Sequence, residues 1–461
     1  MTETELRPGH AARLHERVER VQDLLERSQD DPAVQAELQH VLDGLHPADI
    51  ANVLEALPLA ERLDAWQRVK ADRDGDILLE VTDSVRESLI ADMDDREILA
   101  AVEDLDPDEL ADLVDELPTS VLPEVMASLD AEERRRVQSA LSYNDDQVGA
   151  LMDFEMVTIR EDVSLEVVLR YLRRFDELPA QTDKLFVVNS AHVMVGVLPL
   201  HWLLVNHPER MVHEVMAPDV NTFRPEDDAY DVAQAFERYD LVTAPVVDEN
   251  HRLVGRIAVD AMVDLIREEG EAEARSRAGL REEEDIFASV WRSVRNRWAW
   301  LAINLVTAFI ASRVIGLFEH SIEKLVALAA LMPIVAGIGG NSGNQTITMI
   351  VRAMALEQLG VSSVRRLWRK ELGVALVNGV VWGGVIGVVA WLLYDNLALG
   401  LVMTAAMTLN LLLAAFMGVA IPMVMTWSGR DPALGSSVLI TATTDSGGFF
   451  IFLGLATLFL L

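Results

Sequence analysis

After Arg297 the apolar positions stop recurring at intervals and become continuous. Five runs, 298–318, 325–350, 372–394, 399–427 and 433–461, each approach the ~20 residues that a helix needs to cross a bilayer. One such run could be a buried soluble core. Five in series, with almost no charge inside, predict a five-helix all-α transmembrane domain over 298–461. The second, fourth and fifth runs are long enough to tilt, or to break and line a cavity.

Upstream the pattern is different. Over 1–140, Leu, Val and Ile recur at helical spacing between charged faces, which predicts an all-α domain. It repeats internally: the stretch from Leu45-His46-Pro47-Ala48-Asp49-Ile50 to Leu57-Pro58 realigns with that from Leu105-Asp106-Pro107-Asp108-Glu109-Leu110 to Leu117-Pro118. Pro stands where a helix begins and Leu-Pro where it stops, so a short α-solenoid is expected. From about 146 to 267, short β runs alternate with amphipathic helices, and the order occurs twice. The first copy has Met156–Ile159, a helix near 164–174, Lys184–Val188 and Val195–Leu198. The second has Asn221–Phe223, a helix near 228–239, Thr243–Asp248 and Leu253–Asp260. The expected organisation is an acidic helical domain over 1–140, two α/β modules over 141–206 and 207–267, a charged connecting helix over 268–297, and the membrane domain over 298–461.

Charge divides along the same line. From Trp298 to Leu461 there are 8 Lys+Arg and 7 Asp+Glu; the rest of the totals of 39 and 74, namely 31 and 67, falls in 1–297 and gives that region a net charge of −36. A surface of that sign repels nucleic acid and anionic lipid and concentrates cations. On composition alone, solubility or adaptation to a salty cytoplasm is the better explanation. The absence of cysteine excludes disulfides, thiolate zinc sites and cysteine nucleophiles. The N-terminal stretch is charged and lacks the apolar core of a signal peptide, so none is read there. Arg292, Arg295 and Arg297 precede the first span, Arg365, Arg366, Arg369 and Lys370 lie between the second and third, and Arg430 between the fourth and fifth. The opposite loops carry Lys324 beside Glu319, His320, Glu323 and Asp395. The positive-inside rule therefore predicts a multi-pass protein of the cell (inner) membrane, with its N-terminal domains cytoplasmic and its C-terminus outside.

Two features of the apolar region carry chemistry. Asp445, within Thr443-Thr444-Asp445-Ser446-Gly447-Gly448, lies near the middle of the last run. A charge there costs about 2.5–3.5 kcal/mol on insertion scales, and such a group usually faces a water-filled path or a partner. The second run contains Pro333 and Gly337-Ile338-Gly339-Gly340-Asn341-Ser342-Gly343-Asn344-Gln345. Pro and Gly weaken a helix there and turn carbonyls toward a cavity, while Asn341 and Asn344 add amide oxygens; close helix packing through small residues is the competing explanation. Neutral oxygens with one carboxylate suit a hard cation that keeps much of its water, as Mg²⁺ does. Sulfur and imidazole are missing, which argues against copper and zinc. Five spans do not divide into inverted halves, so a pore on a twofold axis of a homodimer is expected.

The duplicated α/β unit, above all Pro245 to Asp260, looks like a pair of CBS modules. Such pairs often grip the ribose of adenine nucleotides with a Ser/Thr and an Asp. Here the Asp is Asp260, Pro245 lies in the same motif, and the Ser/Thr position is Ala258, so ATP binding and a purely structural pair both stay open. Taken in order, the whole chain resembles the bacterial MgtE family of magnesium channels. The most specific points are Gly340–Gln345, Asp431-Pro432-Ala433, and Asp445 with Gly448. The resemblance implies a homodimeric Mg²⁺ channel, with Asp445, Thr444, Gly337, Gly340, Asn341 and Asn344 at the pore. It also implies closure by intracellular Mg²⁺ bridging Asp108, Asp112, Asp228, Asp240, Asp260, Asp264, Glu268 and Glu269 across the cytoplasmic domains and the plug-like connector. Ala261 and Ser437 depart from the family pattern. The alternatives are an ion-coupled divalent-cation transporter and a nucleotide-sensing regulatory membrane protein. No phosphate loop, nucleophile elbow or metal-hydrolase His motif is present, and an enzyme is not expected.

Overall fold

The computed structural model describes residues 10–461 apart from 29–30, 104, 115, 281–283, 356–360 and 430–434. Arg430 and the Asp431-Pro432-Ala433 stretch lie outside the described residues. The chain divides into two units, one built from residues up to Gly270 with Glu284–Phe287, the other from Glu271–Glu283 with Ala288–Leu461.

From Pro47 onward the first unit contains short helices whose starts fall in step. Pro47, Leu59, Ala71, Asp83, Asp95 and Pro107 each open a helical turn, at a constant interval along the chain. The internal repeat of the sequence is thus a run of five such steps. Pro47 and Pro107 occupy the first turn of their helices, where a missing N–H costs nothing. A recurring arginine falls at multiples of the same interval. Arg62 donates from Nε to the Leu54 carbonyl and from Nη2 to that of Leu57. Arg86 does the same to Leu78 and Val81, and Arg134 to Met126 and Leu129. Each guanidinium satisfies carbonyls left open at a helix end. One continuous apolar core, including Leu38, Ile50, Leu54, Ile77, Leu89 and Leu110, runs behind these helices. We call the helix Pro107–Val114 α1.

Two α/β modules follow. In the first, β1 (Thr158–Arg160) pairs parallel with β2 (Lys184–Val188), which pairs antiparallel with β3 (Met194–Pro199). In the second, helix α2 (Ala229–Tyr239) precedes the antiparallel pair β4 (Thr243–Val247) and β5 (Leu253–Ala258). The strand expected at Asn221–Phe223 is reduced to a single parallel bridge from Phe223 to Val246. That bridge occupies the place of β1, so the duplication holds. Helix α3 (Val259–Ala278) leaves the second module directly from β5. It ends at Ala278, before Gly279 at φ 80°, so the connector is not the single helix expected over 268–297. A left-handed glycine is a common helix stop.

The second unit is helical. Its long helices are α4 (Val290–Gly316), α5 (Ala327–Ala355), α6 (Val361–Tyr394), α7 (Leu397–Trp427) and α8 (Ser436–Phe459). α4 and α6 begin well before the apolar runs do. Arg365, Arg366, Arg369 and Lys370, expected in a loop, lie instead on the first turns of α6, because Arg and Lys are good helix formers and hydropathy ends before the helix does. Among the described residues four helices are long and apolar enough to cross a membrane: α4, α6 from Val364, α7 and α8. α5 has 29 residues but falls outside that set, since its Gly339–Gln345 stretch is polar. Nor does α5 break at Pro333 or the glycines; it runs as one helix.

α7 is the hub, with Met403, Met407, Asn410, Leu411, Ala414 and Gly418 among its buried residues. Backbones approach closely where side chains are small: Thr404 donates to the Gly383 carbonyl of α6 at 2.9 Å, and a Cβ on Gly379 would lie 2.7 Å from the Thr408 Cα. This is the packing expected between helices in lipid. The outward faces are apolar, with Leu305, Phe309, Val377 and Leu392 exposed.

Candidate functional site

The polar stretch of α5 faces outward. Asn341, Asn344, Gln345 and Thr348 line an open groove of about 540 Å³. Helical spacing places their amide and hydroxyl groups in a stripe. Gly337 is on the exposed side of the same helix, with open space where a Cβ would stand. Gly340 is buried and turns toward α8, where a Cβ would come 3.6 Å from the Thr444 Oγ1. Thr444 is fully buried, and its hydroxyl donates to the Ile440 carbonyl at 2.9 Å. Gly340 and Thr444 therefore meet at the packing face of the two helices and do not line the groove. Asp445, the next residue, is half-buried and makes no hydrogen bond or ion pair with a described residue. Its carboxylate is the acid left open on α8.

Two polar residues behind this face escaped the reading of the sequence. Asn410 on α7 has no exposure; its Nδ2 donates to the Val335 carbonyl of α5 at 2.8 Å, and its Oδ1 is buried without a partner. A buried carbonyl left unpaired costs about 1–3 kcal/mol. Glu371 on α6 is buried as well, accepting from Thr346 Oγ1 of α5 at 3.4 Å and pairing with Lys370 Nζ at 3.2 Å. The signal for Asn410 was present, as a single amide within a long apolar run. Glu371 stood at the edge of its run and looked like loop.

In the first unit the eight carboxylates implied as regulatory do not gather into one place. Among the described residues no three acidic or imidazole groups stand close enough to form a metal-binding group. Asp228 and Asp240 are the two caps of α2: Asp228 accepts from the Asp231 N–H at 3.0 Å, and Asp240 takes the left-handed conformation at φ 51° that ends the helix. Asp264 pairs with Arg267 at 3.6 Å, and Glu269 is exposed. Asp260 accepts from Gln181 Nε2 and from the Ala261 N–H. Pro245 lies on β4 opposite Arg256, which is held by Asp153 Oδ2 at 2.7 Å.

Two points of the unit do crowd negative charge. Asp108 on α1 has a buried Oδ1 with no partner; loss of water, then the nearby charge of Asp153, pushes its carboxyl up to about 8. Asp112, one turn on, is raised too, by loss of water first and with Glu268, Glu109 and Asp145 adding to it while Arg86 opposes. Glu268 on α3 is raised by partial desolvation and by Asp83 and Asp264. Sequence distance between Asp112 and Glu268 is bridged by the fold, and their like charges repel. The donor set here is hard oxygen throughout, the chemistry that Mg²⁺ or Ca²⁺ accepts.

Known proteins share this order of domains. Residues 45–146 match the MgtE intracellular N domain, 212–268 a CBS domain, and 332–455 the MgtE divalent cation transporter. The magnesium transporter MgtE of Thermus thermophilus is 33% identical over 339 residues, covering 72% of this chain and 74% of that protein. That of Bacillus subtilis is 27% identical over 424 residues, 92% and 94% of the two chains. Among solved structures, the cytosolic domain of the Mg²⁺ channel MgtE in complex with ATP is 28% identical, covers 54% of this chain and 99% of its own, and superposes with a TM-score of 0.48. The chain belongs to the MgtE family of divalent-cation transporters.

Proposed function

We propose that this protein is a homodimeric Mg²⁺ channel of the inner membrane, importing Mg²⁺ past Asp445 and closed from the cytoplasm by Mg²⁺ itself. The observation that carries the reading is the outward stripe of Asn341, Asn344, Gln345 and Thr348. A helix inside a bilayer does not leave amides facing lipid; they face water or a partner. α5 is then the fifth span, and a second copy covering its groove by twofold symmetry makes a water-filled path lined by both copies. Asp445, unpaired on α8, supplies the charge, and the amides supply neutral oxygen for an ion that keeps its hydration shell. Binding through that shell favours Mg²⁺ over ions that shed water easily.

Closure rests on the crowded carboxylates of the first unit. Without a divalent ion, Asp112 and Glu268 repel, as do Asp108 and Asp153. A cation between such pairs favours the compact arrangement, and differential binding of that kind shifts the population. The N-terminal unit is cytoplasmic and the C-terminus outside. The test is Mg²⁺ flux and single-channel recording in proteoliposomes. Asp445→Ala is expected to abolish flux without changing expression, and currents above any turnover rate distinguish a channel from a coupled transporter. Wild-type flux in Asp445→Ala would overturn the assignment.

A further inference from the structure

Asn410 is placed where three helices meet. Its Nδ2 bond goes to the Val335 carbonyl, one turn before Gly339 on α5. A Cβ on Gly339 would overlap that same Nδ2 and stand 3.4 Å from Oδ1; a Cβ on Gly448 of α8 would lie 2.7 Å from Nδ2 and 3.2 Å from Oδ1. The carboxamide of α7 thus fills the gap that two glycines leave, one from each of the helices that carry the proposed pore groups. Its buried neighbours along α7, Met403, Met407, Leu411 and Ala414, are all apolar. An apolar residue of the same size would fill the gap without leaving Oδ1 unpaired, so packing alone does not account for an amide.

We infer that Asn410 is a positioning residue for ion selection. Its hydrogen bond fixes the rotation of α5 about its axis, and its bulk sets the distance from α5 to α8. Gly339 directly precedes Gly340 and lies just before Asn341; Gly448 is one turn beyond Asp445. Rotation of α5 decides which way Asn341 and Asn344 face, and the separation decides how far they stand from Asp445. A hydrated cation is discriminated by that spacing, because its outer oxygens must meet both sets of groups at once. The inference rests on the pore reading above.

The experiment uses the full chain in proteoliposomes, with Mg²⁺ and Ca²⁺ fluxes measured separately and thermal stability followed in detergent. Wild-type Mg²⁺ flux that Asp445→Ala abolishes is the entry condition; without it the pore reading itself fails, and Asn410 is not at issue. Given that condition, Asn410→Leu, which keeps the branched shape of the side chain and removes the hydrogen bond, is expected to stay folded while the Mg²⁺/Ca²⁺ flux ratio falls at least tenfold. Gly339→Ala alone is expected to lower Mg²⁺ flux at least tenfold by colliding with the amide. Asn410→Ala with Gly339→Ala relieves the collision, so flux returns while the selectivity ratio stays low. If Asn410→Leu does not fold, the double variant carries the test by itself. An unchanged flux ratio in Asn410→Leu, or a double variant with both flux and selectivity restored, overturns the inference and leaves Asn410 a packing residue.

Discussion

Arg62 and Asp285 form a largely buried ion pair: Nη1 meets Oδ2 at 2.7 Å, with 0% and 12% of the two side chains exposed. The remaining Arg62 donors hold the carbonyls of Leu54 and Leu57 and the Ser88 hydroxyl. Through this pair a stretch of the connector is held against the helices of the N-terminal domain. Removing one partner of a buried pair leaves the other charge uncompensated and costs about 3–5 kcal/mol. Arg62→Met is therefore expected to destabilise the N-terminal unit by about that much in urea unfolding. Arg86→Met is the matched comparison, because Arg86 also holds helix-end carbonyls and bridges to a carboxylate, Glu116, at 2.8 Å. Its loss should be the smaller, since that pair keeps more contact with water. Equal losses would mean that burial of the pair is not what matters.

The Asp108 carboxyl gives the N-terminal unit a pH dependence whose sign is fixed. Its folded value near 8 lies above the ordinary 3.8, so the protonated form is favoured on folding. That contribution is complete below about pH 4 and is lost as pH rises through 8. In Mg²⁺-free buffer the melting temperature should fall between pH 5 and pH 8.5. Asp108→Asn, which is neutral throughout, should flatten the profile and melt higher at pH 8.5. Asp74, pushed up to about 7 by burial and by Glu97 and Asp72, contributes in the same direction, and Asp74→Asn measures its share. A wild-type profile in the variant carrying both changes would place the titration elsewhere.

Inside the membrane unit, Glu371 predicts a distinction between charge and hydrogen bonding. Its carboxylate is 7% exposed and meets the Thr346 hydroxyl of α5 and the Lys370 amine. Glu371→Gln keeps an acceptor for Thr346 and removes the buried charge, and its melting should stay within about 1 kcal/mol of wild type. Glu371→Ala leaves Thr346 without that acceptor and opens a cavity, and should cost about 2–5 kcal/mol. Thermal unfolding in detergent reads both. If Gln is as damaging as Ala, the charge itself is required.

Much of this was legible in the sequence because it is written in local patterns. Apolar runs mark spans, Pro47 and Pro107 mark helix starts, and the doubled β–α–β order marks the two modules. Helix ends were not legible, since Arg365 to Lys370 continue α6 in polar residues. Asp445 could be singled out because an acid in an apolar run is conspicuous whatever its neighbours are. Asn410 could not be given a role, because its meaning depends on Gly339 and Gly448, which lie on other helices far along the chain. Asp228 and Asp240 cap one helix, a local task that sequence order alone also permits.

The encounter of Asp112 with Glu268 yields the sharpest test of closure. Loss of water and the charge of Glu268 on α3 push the Asp112 carboxyl of α1 up, against the opposing charge of Arg86, and in the proposed cycle a divalent cation removes that repulsion. A basic side chain should do the same without the ion. Glu268→Lys is expected to mimic bound Mg²⁺: trypsin cleavage of the connector, at residues such as Arg275, should slow several-fold in the absence of Mg²⁺, and millimolar Mg²⁺ should add little more. A shift of tenfold in the open-to-closed ratio needs only about 1.4 kcal/mol of differential stabilisation, within reach of one partly buried ion pair. Asp112→Asn with Glu268→Gln removes repulsion and cation ligands together, so cleavage should become intermediate and indifferent to Mg²⁺. Cleavage of Glu268→Lys that matches wild type with and without Mg²⁺ would separate this pair from gating.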